Sequence, residues 1–567
     1  KVQFLSALTV HLGFLPKGGK VMDPTALLQL VLVYKWWILG FVVFLLLRIV
    51  FRGNAPIGEA MRVKPGEGVL PGDRWFIQSS ADGDTPVHSC SFVEFDGHGD
   101  YIDFHQHTEA WKKVQELASA QPLLLVLYCH GWRNNSQSFD VVKFVDFLGR
   151  LAARKAVAGQ KYRVHGVYLG WRGNLYHPYV DKNTEAFNDT MKRFGGPVVS
   201  AKWQRRFAWT ANLQEILSYW SRRRAAEHKV SSVPMARTVY TCATLVKSID
   251  AEKQRSIEQL NSSRVMVMGH SFGALMLERA LNATCLDPLM GEWSWFTKPT
   301  AKPTEGTKGH EANVDPLPLD FVFFVNSAAP SLYAKQMRDF LTGHQLALEN
   351  SKVPSAFAPV FISLTSSADS ATRYAHPAAN LLCGFYKSLR RIYTQLIKIE
   401  GRSCSVWQSW FFRRTPGHQP LLVDHWLEEQ QEPGIAPQTH EEILNENLNY
   451  ETDNPLSFWA HTSDKDCPVK RWKITLQPAP ADKSWAARFG PLQPSRCSYW
   501  FIRCDKRIIR DHNDVWSDTT MEVYAALYRL VEWARYPGNA HSFQLLKDYW
   551  DSGAGKRTEL KAQEKGA

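Results

Sequence analysis

From residue 91 onward, short runs in which nearly every side chain is apolar alternate with longer stretches whose apolar positions fall at helical spacing. Leu123–Tyr128 (LLLVLY), Val164–Leu169, Arg264–Met268 (RVMVM), Phe321–Val325 (FVFFV), Pro359–Leu364 (PVFISL) and Tyr499–Arg503 (YWFIR) are the runs. A run without a polar face predicts a strand buried on both sides, as in a parallel sheet covered by helices. Ala110–Ala118, Arg237–Leu260, Gly273–Leu281 and Thr519–Ala534 predict helices between or after them. Ser91–Phe95 and Tyr101–Phe104 flank Asp96-Gly-His-Gly-Asp100 and predict a hairpin. The implied fold class is α/β, with a mainly parallel sheet and helices on both faces.

Three stretches break the alternation. Leu27–Leu47 is 21 residues long, and 15 of them are Leu, Ile, Val or Phe. At ~1.5 Å per residue it spans a hydrocarbon core of ~30 Å. Lys35 costs about 2.5–3.5 kcal/mol at a membrane centre, and the summed gain of the apolar residues exceeds that. Residues 27–50 are therefore expected to form one transmembrane helix. A cleaved signal peptide is disfavoured, because the apolar stretch is too long and Arg48–Arg52 offers no small-residue cleavage site. Arg48, Arg52, Arg62 and Lys64 after the span, against Lys1, Lys17 and Lys20 before it, slightly favour a cytoplasmic body. The chain opens on Lys1, so part of 1–26 is expected not to be native. The other two stretches, 174–234 and 376–494, read as insertions of the cap or lid kind; the second is helix-like, Pro-punctuated and loop-like. The core then comprises 65–375 and 495–552, with a disordered tail at 553–567.

Composition excludes a disordered chain and a collagen-like repeat, since 44% of residues are hydrophobic and 22% charged. The nine cysteines are an odd number without a CxxC pair, which argues against a disulfide scaffold or zinc module and predicts mostly reduced and partly buried thiols. The net charge is +12, of which +7 comes from Lys182–Arg237, with eleven basic against four acidic side chains. That segment, with Trp203, Trp209 and Trp220, suits an anionic membrane surface; nucleic acid is the weaker alternative and is not expected as a partner.

The strongest chemical signal is Gly269-His270-Ser271-Phe272-Gly273, which joins the apolar run RVMVM to the helix-forming ALMLERAL. A strand–turn–helix of this kind exposes a serine hydroxyl at the apex, and its glycines permit a tight turn and close packing. His270 is expected to be a packed neighbour of Ser271 and not its base. After the earlier buried run comes Cys129-His130-Gly131-Trp132-Arg133-Asn134-Asn135. His130-Gly131 there would turn a backbone amide towards the nucleophile, making the N–H groups of Trp132 and Phe272 an oxyanion pair. The plainer reading is a turn made by Asn134 and Asn135. Gly170-Trp-Arg-Gly173 is recognisable without an assignable role, and Arg172 pairs either with a structural carboxylate or with an anionic substrate.

Together LYCHGWRNN, VHGVYLGWRG, MGHSFGALMLERAL and FVNSAAPS resemble the α/β-hydrolase superfamily, in particular membrane-anchored bacterial hydrolases with HGW-x-x-N and GHSFG motifs. The resemblance covers about Ser91–Asp369 and a short piece near His512. It implies an α/β-hydrolase fold and a serine hydrolase whose triad runs Ser, acid, His along the chain. Asp369, just after PVFISL and followed by Ala371-Thr372, is the best match for the acid; Asp320 lies at the wrong end of its strand. His512, in a loop after YWFIR, is the best match for the base; His418, His425, His440 and His461 are rivals for it, and Asp511 and Asp514 for the acid. An esterase or lipase-like enzyme acting on a small-molecule or lipid ester is the expected function, with a membrane-associated interaction scaffold as the alternative. No metal cluster or phosphate loop is visible, so no cofactor and no metal are expected.

Overall fold

A computed structural model describes residues 76–78, 88–132, 134, 139–153, 162–171, 173, 219, 222–231, 233–255, 261–286, 318–350, 360–377, 394–399, 402–407, 414–420, 422–430, 457–462, 470–478 and 499–535. All fall within one compact unit, Met61–Ala567. The strands in chain order are β1 (Phe76–Gln78), β2 (His88–Phe95), β3 (Leu123–Cys129), β4 (Arg163–Trp171), β5 (Arg264–His270), β6 (Phe321–Val325) and β7 (Phe361–Ser366). They continue with β8 (Thr394–Ile399), β9 (Arg402–Trp407), β10 (His425–Gln430), β11 (Ser457–Thr462), β12 (Lys470–Pro478) and β13 (Tyr499–Cys504). The α-helices are α1 (Phe104–Ala120), α2 (Phe139–Ala153), α3 (Val233–Glu252), α4 (Phe272–Leu286), α5 (Ser331–Asn350) and α6 (Asp518–Arg535).

The unbroken apolar runs are explained by β3. Leu123, Leu125, Leu127 and Cys129 pack on one face with residues of α1, α3, α4 and α5. Leu124, Val126 and Tyr128 pack on the other face with α2 and α6. Both faces are dry, so each of these side chains adds roughly 1.5–3 kcal/mol by burial and neither face admits polar alternation. The sheet order is β1-β2-β4-β3-β5-β6-β7-β13-β10-β12-β11. Every neighbouring pair from β2 to β10 is parallel. Antiparallel β1 closes one edge, and antiparallel β12 and β11 extend the other. The α/β class with a mainly parallel sheet covered on both faces is what the sequence predicts.

Two expectations are corrected. The hairpin after Ser91–Phe95 shrinks to a single bridge, Phe95 to Tyr101. Asp103 accepts the His105 N–H at 2.8 Å and so caps α1, which starts at Phe104, the last residue of the predicted second strand. Within 376–494, expected to be helix-like and loop-like, the described parts include β10, β11 and β12, which belong to the main sheet, and the separate β8–β9 pair. In Lys470-Arg-Trp-Lys-Ile-Thr-Leu-Gln-Pro478, Ile474 and Leu476 are buried in register with charged and polar neighbours. This strand, paired between β10 and β11, has too few apolar positions to stand out.

Among the described residues no helix is long and apolar enough to cross a membrane; the predicted span at 27–50 lies outside them. Most of 174–234, including Trp203, Trp209 and Trp220, and the tail 553–567 also lie outside. Where the basic segment is described, Arg223 pairs with Glu227 at 3.6 Å, and Glu227 accepts from the Tyr333 hydroxyl at 2.8 Å. Cys90, Cys129, Cys242 and Cys504 are buried free thiols, and burial pushes each of them up. β3 is flanked by β4 on one side and β5 on the other, so the chain's direction of travel through the sheet reverses there. The carboxyl ends of strands at such a switch are where open α/β sheets form clefts.

Candidate active site

Ser271 sits where β5 ends and α4 begins, with φ at 55°, in the left-handed region that L residues other than Gly rarely adopt. Its N–H donates to the Val325 carbonyl at 3.0 Å, and its carbonyl accepts from Leu275 and Ala328 at 3.1 Å each. The strained turn is therefore held from β6 and from the first turn of α4. Gly273 has to be glycine: a Cβ there would lie 2.1 Å from the Cys129 carbonyl oxygen. At Gly269 a Cβ would come within 2.8 Å of the Ala274 backbone, so α4 is drawn tight against β5 and β3.

The Ser271 hydroxyl donates to His512 Nε2 at 2.8 Å, and His512 Nδ1–H donates to Asp369 Oδ2 at 2.9 Å. Asp369 is fully buried beyond the end of β7. Burial opposes its charge, yet His512 and the hydrogen bonds from His512 and Thr372 outweigh that and hold the carboxyl down at about 2. Thr372 supplies two of those bonds, from Oγ1 to Oδ2 at 2.5 Å and from N–H to Oδ1 at 3.0 Å. Behind it, His418 Nε2 lies 3.1 Å from Thr372 Oγ1. Because that hydroxyl gives its proton to Asp369, His418 is the donor in this contact. The three residues picked from the sequence thus form one hydrogen-bonded chain.

The other motif residues surround it. Gly131 is packed so closely that a Cβ would lie 3.0 Å from both Ser271 Cβ and His270 Nδ1. His130 is fully buried and held down at about 4, burial being the main cause. It accepts the Trp171 N–H on Nε2 at 3.0 Å and contacts the Gly131 carbonyl through Nδ1 at 2.9 Å; its own carbonyl accepts the Trp171 indole N–H at 2.9 Å. The Gly173 N–H donates to the Asn134 carbonyl at 3.2 Å. The Gly170–Gly173 motif thereby gains a role: its tryptophan and last glycine fasten the 130–134 loop beside Ser271. Phe272, first residue of α4, has no intrahelical acceptor for its N–H. Its ring lies 6.2 Å from that of Trp132, and the Tyr219 ring is 5.2 Å from Trp132 and 5.3 Å from Phe272. Arg133, Asn135 and Arg172 lie outside the described residues.

Where their side chains are described, the rival residues have other partners. His425 contacts Asp424 at 2.6 Å and stacks on Trp500. His461 is part of β11, and His440 lies outside the described residues. Asp511 Oδ1 accepts the Asn513 and Asp514 N–H groups, and Asp514 Oδ2 accepts from Arg510, so both carboxylates brace their own loop. Asp320 accepts from Lys247 at 2.6 Å and from the Val265 N–H at 2.7 Å, at the opposite end of β6. His270 donates from Nε2 to the His512 carbonyl at 2.9 Å, and its ring centroid lies 5.0 Å from that of His512. Thr372, Tyr219 and Asn326 were given no role by sequence reasoning; Ala371-Thr372 and FVNSAAPS were the signals that carried two of them. No protein-family model, curated protein or solved structure matches the chain.

Proposed function

We propose that this chain is a membrane-anchored serine hydrolase of the α/β-hydrolase superfamily, esterase or lipase-like, which cleaves carboxylic esters through an acyl-serine intermediate. The observation that carries the reading is the Ser271–His512–Asp369 chain of hydrogen bonds, built on a serine whose backbone is strained into a strand–helix turn. His512 Nε2 takes the hydroxyl proton as Ser271 Oγ attacks the ester carbonyl carbon. Asp369 stays ionised and stabilises the imidazolium. The carbonyl oxygen, now negative, is received by the N–H groups of Trp132 and Phe272, each worth roughly 2.7–4 kcal/mol of barrier in comparable sites. Collapse breaks the ester C–O bond, and His512 returns its proton to the leaving alcohol. Water, deprotonated by the same imidazole, then attacks the acyl-serine and regenerates Ser271.

The apolar run at 27–50 supports anchoring, with the body on the cytoplasmic side, and the basic, tryptophan-bearing 182–237 segment supports a lipid-like or anionic-surface substrate. The experiment is turnover of p-nitrophenyl esters of graded chain length by the full chain in detergent. Ester cleavage is expected in the wild type, with Ser271→Ala lowering kcat to the residual level left by binding and the oxyanion site, a loss of about 10³-fold or more. A folded wild type that cleaves none of the series would instead favour an interaction scaffold.

A further inference from the structure

FVNSAAPS contributes Asn326, which has no part in the steps above. It directly follows β6 and is fully buried, with φ at 45°. Asparagine tolerates this left-handed conformation better than other non-glycine residues, but glycine would tolerate it better still, so the backbone alone does not call for an amide. The side chain does more. Asn326 Oδ1 accepts the Ser366 N–H at 3.0 Å, at the end of the strand that leads to Asp369. Its Nδ2 donates to the His512 carbonyl at 3.2 Å and reaches the Asp511 carbonyl at 3.4 Å. The amide can face only this way, because Ser366 offers a donor and the two carbonyls can only accept. Its own N–H donates to the Leu364 carbonyl at 2.8 Å, and the preceding residue, Val325, accepts the Ser271 N–H. One residue thus adjoins the nucleophile and ties the acid's strand to the base's loop. The His512 carbonyl is also met by His270 Nε2–H, so two donors share it.

We propose that Asn326 is a positioning residue for the base: its amide, together with His270, fixes the main chain at Asp511–His512 so that the His512 ring stays aligned between Ser271 and Asp369. The inference rests on the triad reading above. His270 suits the task because burial, with the neighbouring His512 next in size, holds it down at about 3, leaving a neutral ring that donates from Nε2.

The test uses the full chain in detergent, with p-nitrophenyl butyrate as probe and Asn326→Gly and Asn326→Asp as variants. Glycine keeps the left-handed backbone and deletes the amide; aspartate keeps the acceptor towards Ser366 and sets its second oxygen against two carbonyls. Circular dichroism and thermal unfolding verify the fold, and the aspartate variant carries the test if the glycine variant does not fold. Displacing the base is expected to lower kcat about 100-fold with KM unchanged. In a His512→Ala background, Asn326→Gly is expected to cause no further loss; an additional loss there shows action independent of His512 and overturns the proposal. Hydrogen–deuterium exchange is expected to quicken at Asp511–Asp514 in both variants, while β6 and the part of β7 before Ser366 keep their protection. Unchanged exchange overturns the clamp whether or not the protein cleaves esters. If the wild type is active and Asn326→Gly matches it in kcat, the positioning inference fails while the hydrolase reading stands; an inactive wild type defeats the hydrolase reading and with it any role of the clamp in positioning a base.

Discussion

Asp369 is a buried carboxylate that the site holds in its charged form. It has no solvent exposure, yet it is held at about 2, below the 3.8 of a free aspartate. A carboxylate depressed in the folded state adds stability that is fully present above its unfolded pKa and is lost as pH falls through about 2. Asp369→Asn removes both the charge and the acceptor that fixes the His512 tautomer. Its kcat is expected to fall by about 10⁴-fold, as for the same change in serine proteases, with less effect on KM. A variant within tenfold of wild type would remove Asp369 from the reaction. At this scale Ser271, Asp369 and His512 were legible because each follows a strand in the order that the resemblance implies. Thr372, Asn326 and His418 were not, because a residue that acts by supporting another has no spacing rule of its own. His418 shows the difference: it read as a rival base, and the structure puts it behind Thr372.

Among the elements, α4 matters most, since it begins at the residue after Ser271 and runs through the core. It carries Glu278, which is fully buried and accepts from the Tyr499 and Ser327 hydroxyls at 3.1 and 3.2 Å. Burial outweighs those bonds and pushes the carboxyl up from 4.5 to about 8. The folded state therefore keeps a proton that the unfolded chain has lost. Stability from this group is full below pH 4.5 and is lost as pH rises through about 8. Thermal unfolding between pH 5 and 9 tests this: the wild-type midpoint is expected to drop more than that of Glu278→Gln, and parallel curves would contradict it. The elements were legible in proportion to their dryness. β3, β5 and β6 are buried on both faces and announce themselves as apolar runs, whereas β10 and β12 carry charges such as Glu428, Glu429, Lys470 and Arg471 among few apolar residues. Ala110–Ala118 marked the middle of α1, and its true start depended on one capping aspartate.

Over the whole molecule, the parallel sheet turns separation along the chain into proximity. Ser271 and His512 are 241 positions apart and meet at 2.8 Å because β5, β6, β7 and β13 lie side by side with their carboxyl ends together. Hydrophobic patterning predicts such a sheet but not how its loops dock, which depends on carbonyls, amides and a few buried side chains that leave no periodic trace. Peptide mass spectrometry of the detergent-solubilised full chain after treatment with a fluorophosphonate tests the central claim most directly. The account predicts a single adduct on the peptide containing Ser271, absent in Ser271→Ala and formed far more slowly in His512→Ala. A folded wild type that stays unlabelled, or a label that persists in Ser271→Ala, would contradict it.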